Sequence, residues 1–266
     1  MRIRIVDAFT DRPFAGNPAG VLLLDSFPDD AWLQAVAREV NHAETAFAHP
    51  LPDGGWALRW FTPATEVALC GHATLATAHV LNSTGAVEGP VPFTTLSGTL
   101  IATPQEDGSI TLDFPTAPLT ADDVPDGLAE ALGAEPLTCF DTGPNTGDLL
   151  VELADEKAVL GLSPDHRGLV RHSERGIIAT ARAEDPSGGY DFVSRCFFPR
   201  VGIDEDPVTG SAHTALAPYW SQRIGRPELT GLQASARAGI VRTALRGDRT
   251  LLNGHAVTVI DGELLT

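Results

Sequence analysis

The chain has 266 residues, 43% of them hydrophobic and 20% charged, an ordinary globular composition long enough to bury one large core or two medium ones. Its formal charge of −17 at pH 7 argues against nucleic acid or anionic membrane as a partner. No apolar run approaches the ~20 residues of a membrane span, and Cys70, Cys139 and Cys196 show no CxxC spacing, which predicts a reducing compartment, the cytoplasm, and no disulfide framework.

The chain opens on the alternating stretch Arg2–Ala8, which predicts a strand and lacks the apolar core of a signal peptide. Gly16-Asn17-Pro18-Ala19-Gly20 reads as a sharp loop before a strand at Gly20–Leu24. Trp32, Ala35, Val36 and Val40 recur at helical spacing, so Asp29–Val40 is a predicted helix with an aspartate cap. Further strands are predicted at Trp56–Phe61, Thr99–Ala102 and Ser109–Phe114. Ala73–Leu81 contains no Asp, Glu, Lys or Arg, the pattern of a helix buried on all sides. Phe114-Pro115-Thr116-Ala117-Pro118 reads as a hinge, dividing the chain into residues 1–115, joined by the last few residues, and residues 116–266. Beyond it, helices are predicted at Val124–Leu132, Asp155–Leu160 and Ala212–Ile224. Strands are predicted at Leu149–Leu153, Gly176–Ala181, Tyr190–Phe197, Gly239–Ala244 and Ala256–Ile260.

One pattern occurs twice. Arg59-Trp60-Phe61-Thr62-Pro63 leads to Glu66 and then Cys70-Gly71-His72; Arg195-Cys196-Phe197-Phe198-Pro199 leads to Glu205 and then Thr209-Gly210-Ser211. Two copies half a chain apart indicate a duplicated domain. Each copy ends where a buried helix begins. The first amides of a helix have no partner within it, the dipole adds positive character there, and glycine lets a ligand approach the backbone. Gly71, His72 and Ala73 with Cys70, and Gly210 and Ser211 with Thr209, are therefore candidate anion-binding corners, which would form one site if they faced each other.

Two carboxylates are candidates for proton chemistry. Glu44 stands in the largely uncharged run Asn41–Ala48, and burial of a carboxylate favours proton exchange near neutral pH. Asp206 precedes Pro207, which favours an extended backbone there and aims the side chain away from the helix that follows. Cys70 and Thr209 occupy equivalent positions, so a symmetric two-thiol mechanism is unavailable. The histidines show no HxH or HxxxH spacing, giving a metal site no support.

Asp7–Ala19, Ala43–Phe47, Phe61-Thr62-Pro63 with Glu66 and Cys70-Gly71-His72-Ala73-Thr74, and Glu205-Asp206-Pro207-Val208-Thr209-Gly210-Ser211-Ala212 together resemble the PhzF-like family of phenazine-biosynthesis-type isomerases, in order and over nearly the whole chain. The resemblance implies an α+β chain with the diaminopimelate-epimerase-like fold: two pseudo-symmetric domains, each a barrel-like sheet around a central helix, with the site in the cleft between them. It implies an enzyme without cofactor or metal, a small anionic substrate and a homodimer. Its best-known activity isomerises trans-2,3-dihydro-3-hydroxyanthranilate by moving a proton along a conjugated system. Glu44 falls on the family's acid/base glutamate. His72, Asp206 and Ser211 fall on residues around the substrate, and Gly71 and Gly210 on backbone positions that meet it. Diaminopimelate epimerase has a cysteine at both helix starts; Thr209 replaces one here. The expectation is an isomerase with Glu44, Asp206 and His72 catalytic. The alternatives are a racemase using Cys70, or a non-catalytic binding protein on the same fold.

Overall fold

The computed structural model describes residues 1–52, 54–144 and 146–265; Asp53, Asn145 and Thr266, the last position of the predicted second half, lie outside the described residues. The chain divides into two compact units, Met1–Asp113 with Asn253–Thr266, and Phe114–Leu252.

In the first unit β1 (Arg2–Ala8) pairs antiparallel with β2 (Asn17–Leu23), β2 runs parallel to β3 (Glu44–Pro50), and β3 returns along β4 (Trp56–Phe61). β4 carries the short antiparallel β5 (Glu66–Val67) and lies parallel to β6 (Val91–Thr95), which turns back into β7 (Gly98–Pro104). The strand Ala256–Glu263 pairs antiparallel with β1. Helix α1 (Asp30–Val40) begins at Asp29, whose side chain accepts the Trp32 amide, and stops at Asn41 in the left-handed conformation.

Helix α2 (Gly71–Ser83) is the centre of this unit, packed against β1, β2, β3, β7 and the strand Ala256–Glu263. It starts two residues earlier than the sequence predicts. Leu75, Val80 and Leu81 are fully buried, each contributing roughly 1.5–3 kcal/mol. Thr74 and Thr77 are equally buried; their hydroxyls donate to the backbone oxygens of Cys70 and Ala73 one turn back, at 2.6 and 2.7 Å, so neither hydroxyl is stranded.

The second unit repeats this pattern strand for strand. Here β8 (Thr120–Asp122) pairs antiparallel with β9 (Thr138–Asp141), β9 with β10 (Asp148–Glu152), and β10 runs parallel to β11 (Gly176–Arg182). β11 returns along β12 (Phe192–Phe198), which carries the short β13 (Ile203–Asp206) and lies parallel to β14 (Glu228–Gln233), itself paired with β15 (Gly239–Arg246). The register makes the equivalence explicit: Thr45 faces Phe61 in the first unit, and Ile177 faces Phe197 in the second. Glu44 therefore corresponds to Gly176, and Ala43 to Arg175.

Three short helices, α3 (Leu128–Leu132), α4 (Glu156–Leu160) and α5 (His166–Leu169), lie between strands. The predicted helix Val124–Leu132 shrinks to α3 because Gly127 takes φ +80° and ends the preceding segment. Helix α6 (Gly210–Ile224) is the counterpart of α2 and is buried along most of its length, although it contains Pro218. Pro218 has no N–H to give the Thr214 carbonyl; the Ala117 amide donates to that oxygen instead, at 3.2 Å.

Candidate active site

The repeated motif forms the same structure in both units. Arg59 donates through Nε and Nη2 to the two carboxylate oxygens of Glu66, each at 2.7 Å. Arg195 does the same to Glu205, at 2.7 and 2.8 Å. Each guanidinium also lies over the phenylalanine two residues on, 5.0 Å from the Phe61 ring centre and 5.2 Å from that of Phe197. Two-pronged pairing fixes both partners, and so fixes the turn that leads into each central helix. Both helices start from an extended residue, Cys70 (φ −147°) or Thr209 (φ −110°), with no side-chain cap.

At the first corner, Glu44 opens β3 and His72 stands in the first turn of α2. His72 Nε2 is 3.3 Å from Glu44 Oε2, and their side chains are only 6% and 14% exposed. The contact is within ion-pair reach, but Nε2 makes no aligned hydrogen bond. Burial, with a smaller push from His42, holds the His72 imidazole down to a pKa of about 3. It is therefore neutral at pH 7, and the pair is a neutral imidazole beside a carboxyl group. Asn17 Nδ2 donates to His72 Nδ1 at 3.2 Å, and the Cys70 thiol lies 3.6 Å from the same nitrogen. The Asn17 amide nitrogen can only donate, so Nδ1 accepts and the ring proton lies on Nε2, on the side of Glu44.

Among the described residues, Glu44, Cys70 and His72 form one group whose oxygen, sulfur and nitrogen ligand atoms lie within 4.8 Å of one another, a donor set that could hold a metal. A metal at Nε2 would need the opposite tautomer from the one Asn17 sets.

At the second corner, Asp206 ends β13 and is buried. The Thr209 hydroxyl donates to Asp206 Oδ2 at 2.5 Å. Gln233, fully buried, holds the turn: its Oε1 accepts the Thr209 amide and its Nε2 donates to the Asp206 carbonyl, both at 2.8 Å. His213, one turn into α6, donates from Nδ1 to the Thr209 carbonyl at 2.8 Å; burial lowers its pKa to about 4. Arg175 Nη2 donates to Ser211 Oγ at 2.8 Å, while Nε and Nη2 grip Asp148 at 2.8 and 2.6 Å.

The sequence-derived candidates thus gather at two corners: Glu44, Cys70, Gly71, His72 and Ala73 in the first unit, and Asp206, Thr209, Gly210 and Ser211 in the second. Sequence reasoning missed Asn17, Gln233, Asp148 and Arg175. Asn17 was visible within Gly16–Gly20; the rest stand outside any motif.

Each unit of the duplication is thus an α+β layer around a buried central helix, and the first carries a carboxylate–imidazole pair at its helix start. The family model for phenazine biosynthesis-like proteins matches residues 6–262, so the chain belongs to that family. It is 47% identical over 266 residues to an uncharacterized isomerase of Halalkalibacterium halodurans, covering 99% of this chain and 98% of the relative. A crystal structure of a phenazine biosynthesis protein of the PhzF family from Enterococcus faecalis superposes with a TM-score of 0.93 at 38% identity, covering 100% of this chain and 99% of that one. A hydroxyproline epimerase from Agrobacterium vitis shares the fold, with a TM-score of 0.62 at 15% identity over 98% of this chain and 91% of that one. The chain is thus an enzyme of the isomerase class with the diaminopimelate-epimerase-like fold.

Proposed function

We propose that the enzyme is a cofactor-independent isomerase that shifts a proton along a small, conjugated, carboxylate-bearing molecule of the dihydro-3-hydroxyanthranilate type. Glu44 takes a proton from carbon, the C–H electron pair moves into the conjugated system, and Glu44, whose acquired proton exchanges with solvent, protonates a different carbon. Substrate and product then differ only in the position of one proton and of the double bonds. His72 keeps its Nε2–H toward Glu44 and the polar substituents. Asp206 binds a polar substituent. Ser211 and the amides of Gly71 and Gly210 hold oxygens, with Cys70, Ala73 and Thr209 lining the substrate.

The observation that carries this reading is the inequality of two equivalent positions. Glu44 stands beside His72, whereas the equivalent Gly176 has no side chain, and a Cβ there would lie 2.0 Å from Phe198 Cδ1. A two-base racemase built on the duplication needs a proton-active side chain in both copies, and neither Cys70 with Thr209 nor Glu44 with Gly176 supplies two; a one-base proton shift needs one. A racemase using Cys70 is the second reading, supported by the thiol 3.6 Å from His72 Nδ1. Support for a reducing, cytoplasmic setting comes from the three cysteines, present as buried thiols; the homodimer follows from the family resemblance.

The test is proton exchange with solvent. Turnover of trans-2,3-dihydro-3-hydroxyanthranilate in D2O, followed by NMR, should place deuterium at the accepting carbon. Glu44→Gln should slow this by ~10²–10⁴-fold; full activity in that variant would refute the assignment.

A further inference from the structure

We infer that Arg175, clamped by Asp148, is the positioning residue for Ser211, setting the Ser211 hydroxyl as a hydrogen-bond donor toward the substrate. The inference rests on the proposed role of Ser211 at the substrate.

The internal duplication singles out Arg175. Register pairs Ala43–Glu44 with Arg175–Gly176, and the repeated motif pairs His72 with Ser211. At the place where the first unit sets a carboxylate beside His72, the second sets a guanidinium on Ser211. Gly176 cannot carry a side chain because Phe198 fills the space, so the preceding residue supplies the polar group. Arg175 lies with its guanidinium 4.9 Å from the centre of that same Phe198 ring.

Hydrogen-bond inventory gives the direction. Guanidinium only donates, so Ser211 Oγ is the acceptor of the 2.8 Å contact with Arg175 Nη2. Among the described residues the Ser211 proton itself has no acceptor. An oxygen whose lone pair is occupied by a cationic donor has its O–H turned away from that donor, and is a stronger donor for it.

Asp148 is the anchor. Its side chain is fully buried while that of Arg175 is 34% exposed, and the two-pronged bond leaves the guanidinium little freedom. A purely structural ion pair would also explain the Asp148 contact, but not the third bond to Ser211. The sequence concealed this device because Arg175 belongs to neither copy of the motif.

The test is the Ser211 rotamer in high-resolution crystal structures of wild type, Arg175→Lys and Arg175→Met. An Arg175→Met/Asp148→Asn double variant, which leaves no unpaired buried charge, serves if Arg175→Met does not fold. A single Ser211 rotamer is expected in wild type and Arg175→Lys, and several in the methionine variants. Retention of one rotamer without the cation overturns the inference. With trans-2,3-dihydro-3-hydroxyanthranilate as the probe, Arg175→Met should raise KM about tenfold and change kcat less than about threefold. In a Ser211→Ala background the same substitution should add less than about twofold. Full additivity in that cycle also overturns it. If wild type does not turn over the probe, the proposed substrate fails, while the rotamer still decides the role of Arg175.

Discussion

His72 Nε2 lies 3.3 Å from Glu44 Oε2, and Asn17 donates to the opposite nitrogen of the same ring at 3.2 Å. Asn17 therefore decides which face of a neutral imidazole carries the proton. In Asn17→Asp the side chain at that position only accepts, so the proton should move to Nδ1 and two acceptors would meet across Nε2 and Glu44. We expect a loss of ~10²-fold or more in kcat/KM with the fold retained. Nitrogen-15 NMR of His72 should report the Nε2–H form in wild type and the Nδ1–H form in the variant; an unchanged tautomer would contradict this.

The two arginine–glutamate clasps should behave alike. Arg59 and Glu66 are 20% and 23% exposed in their side chains, and Arg195 and Glu205 13% and 21%. Removing one member leaves a partly buried charge without its two-pronged partner. Glu66→Gln and Glu205→Gln should each cost ~1–3 kcal/mol, read as a lower urea midpoint at unchanged m. A loss in only one of them would show that the repeat has diverged in its structural role.

Stability should fall in mild acid. The folded-state values of about 3 for His72 and about 4 for His213 lie below the ordinary 6.5, so the unfolded chain takes up protons first. Their contribution is fully present above about pH 6.5 and is lost as pH falls, through about 4 for His213 and about 3 for His72, at up to ~1.4 kcal/mol per pH unit for each histidine. His213→Gln should reduce the slope of unfolding free energy against pH over this window, measured in urea titrations. An unchanged slope would mean that His213 is already protonated in the folded state.

Cys70 separates the isomerase from a thiol racemase. The residue is 6% exposed and is assigned to line the substrate, not to carry its proton. Cys70→Ala should keep isomerisation within about tenfold of wild type. Loss equal to that of Glu44→Gln would favour the thiol mechanism.

Much of the fold and the candidate site was legible because it is written in local residue spacing. The duplication, the uncharged central helices and the glycine-containing helix starts are all short-range patterns. Glu44 was singled out, but its strand was not, because Thr45, Ala46, Phe47 and Ala48 are all fully buried and give no alternation. Gln233 and Arg175 reach their corners by pairing across strands distant in sequence. Arg175 was recoverable only by extending the duplication past its motif, where Gly176 replaces Glu44 and no residue type is shared.

The most direct test of the central claim is deuterium incorporation during a single turnover of trans-2,3-dihydro-3-hydroxyanthranilate in D2O, comparing wild type with Glu44→Gln. The account predicts deuterium at the accepting carbon with wild type, and a rate at least ~10² lower with a folded Glu44→Gln. Equal incorporation by both proteins would contradict it, because the proton would then be carried by another group.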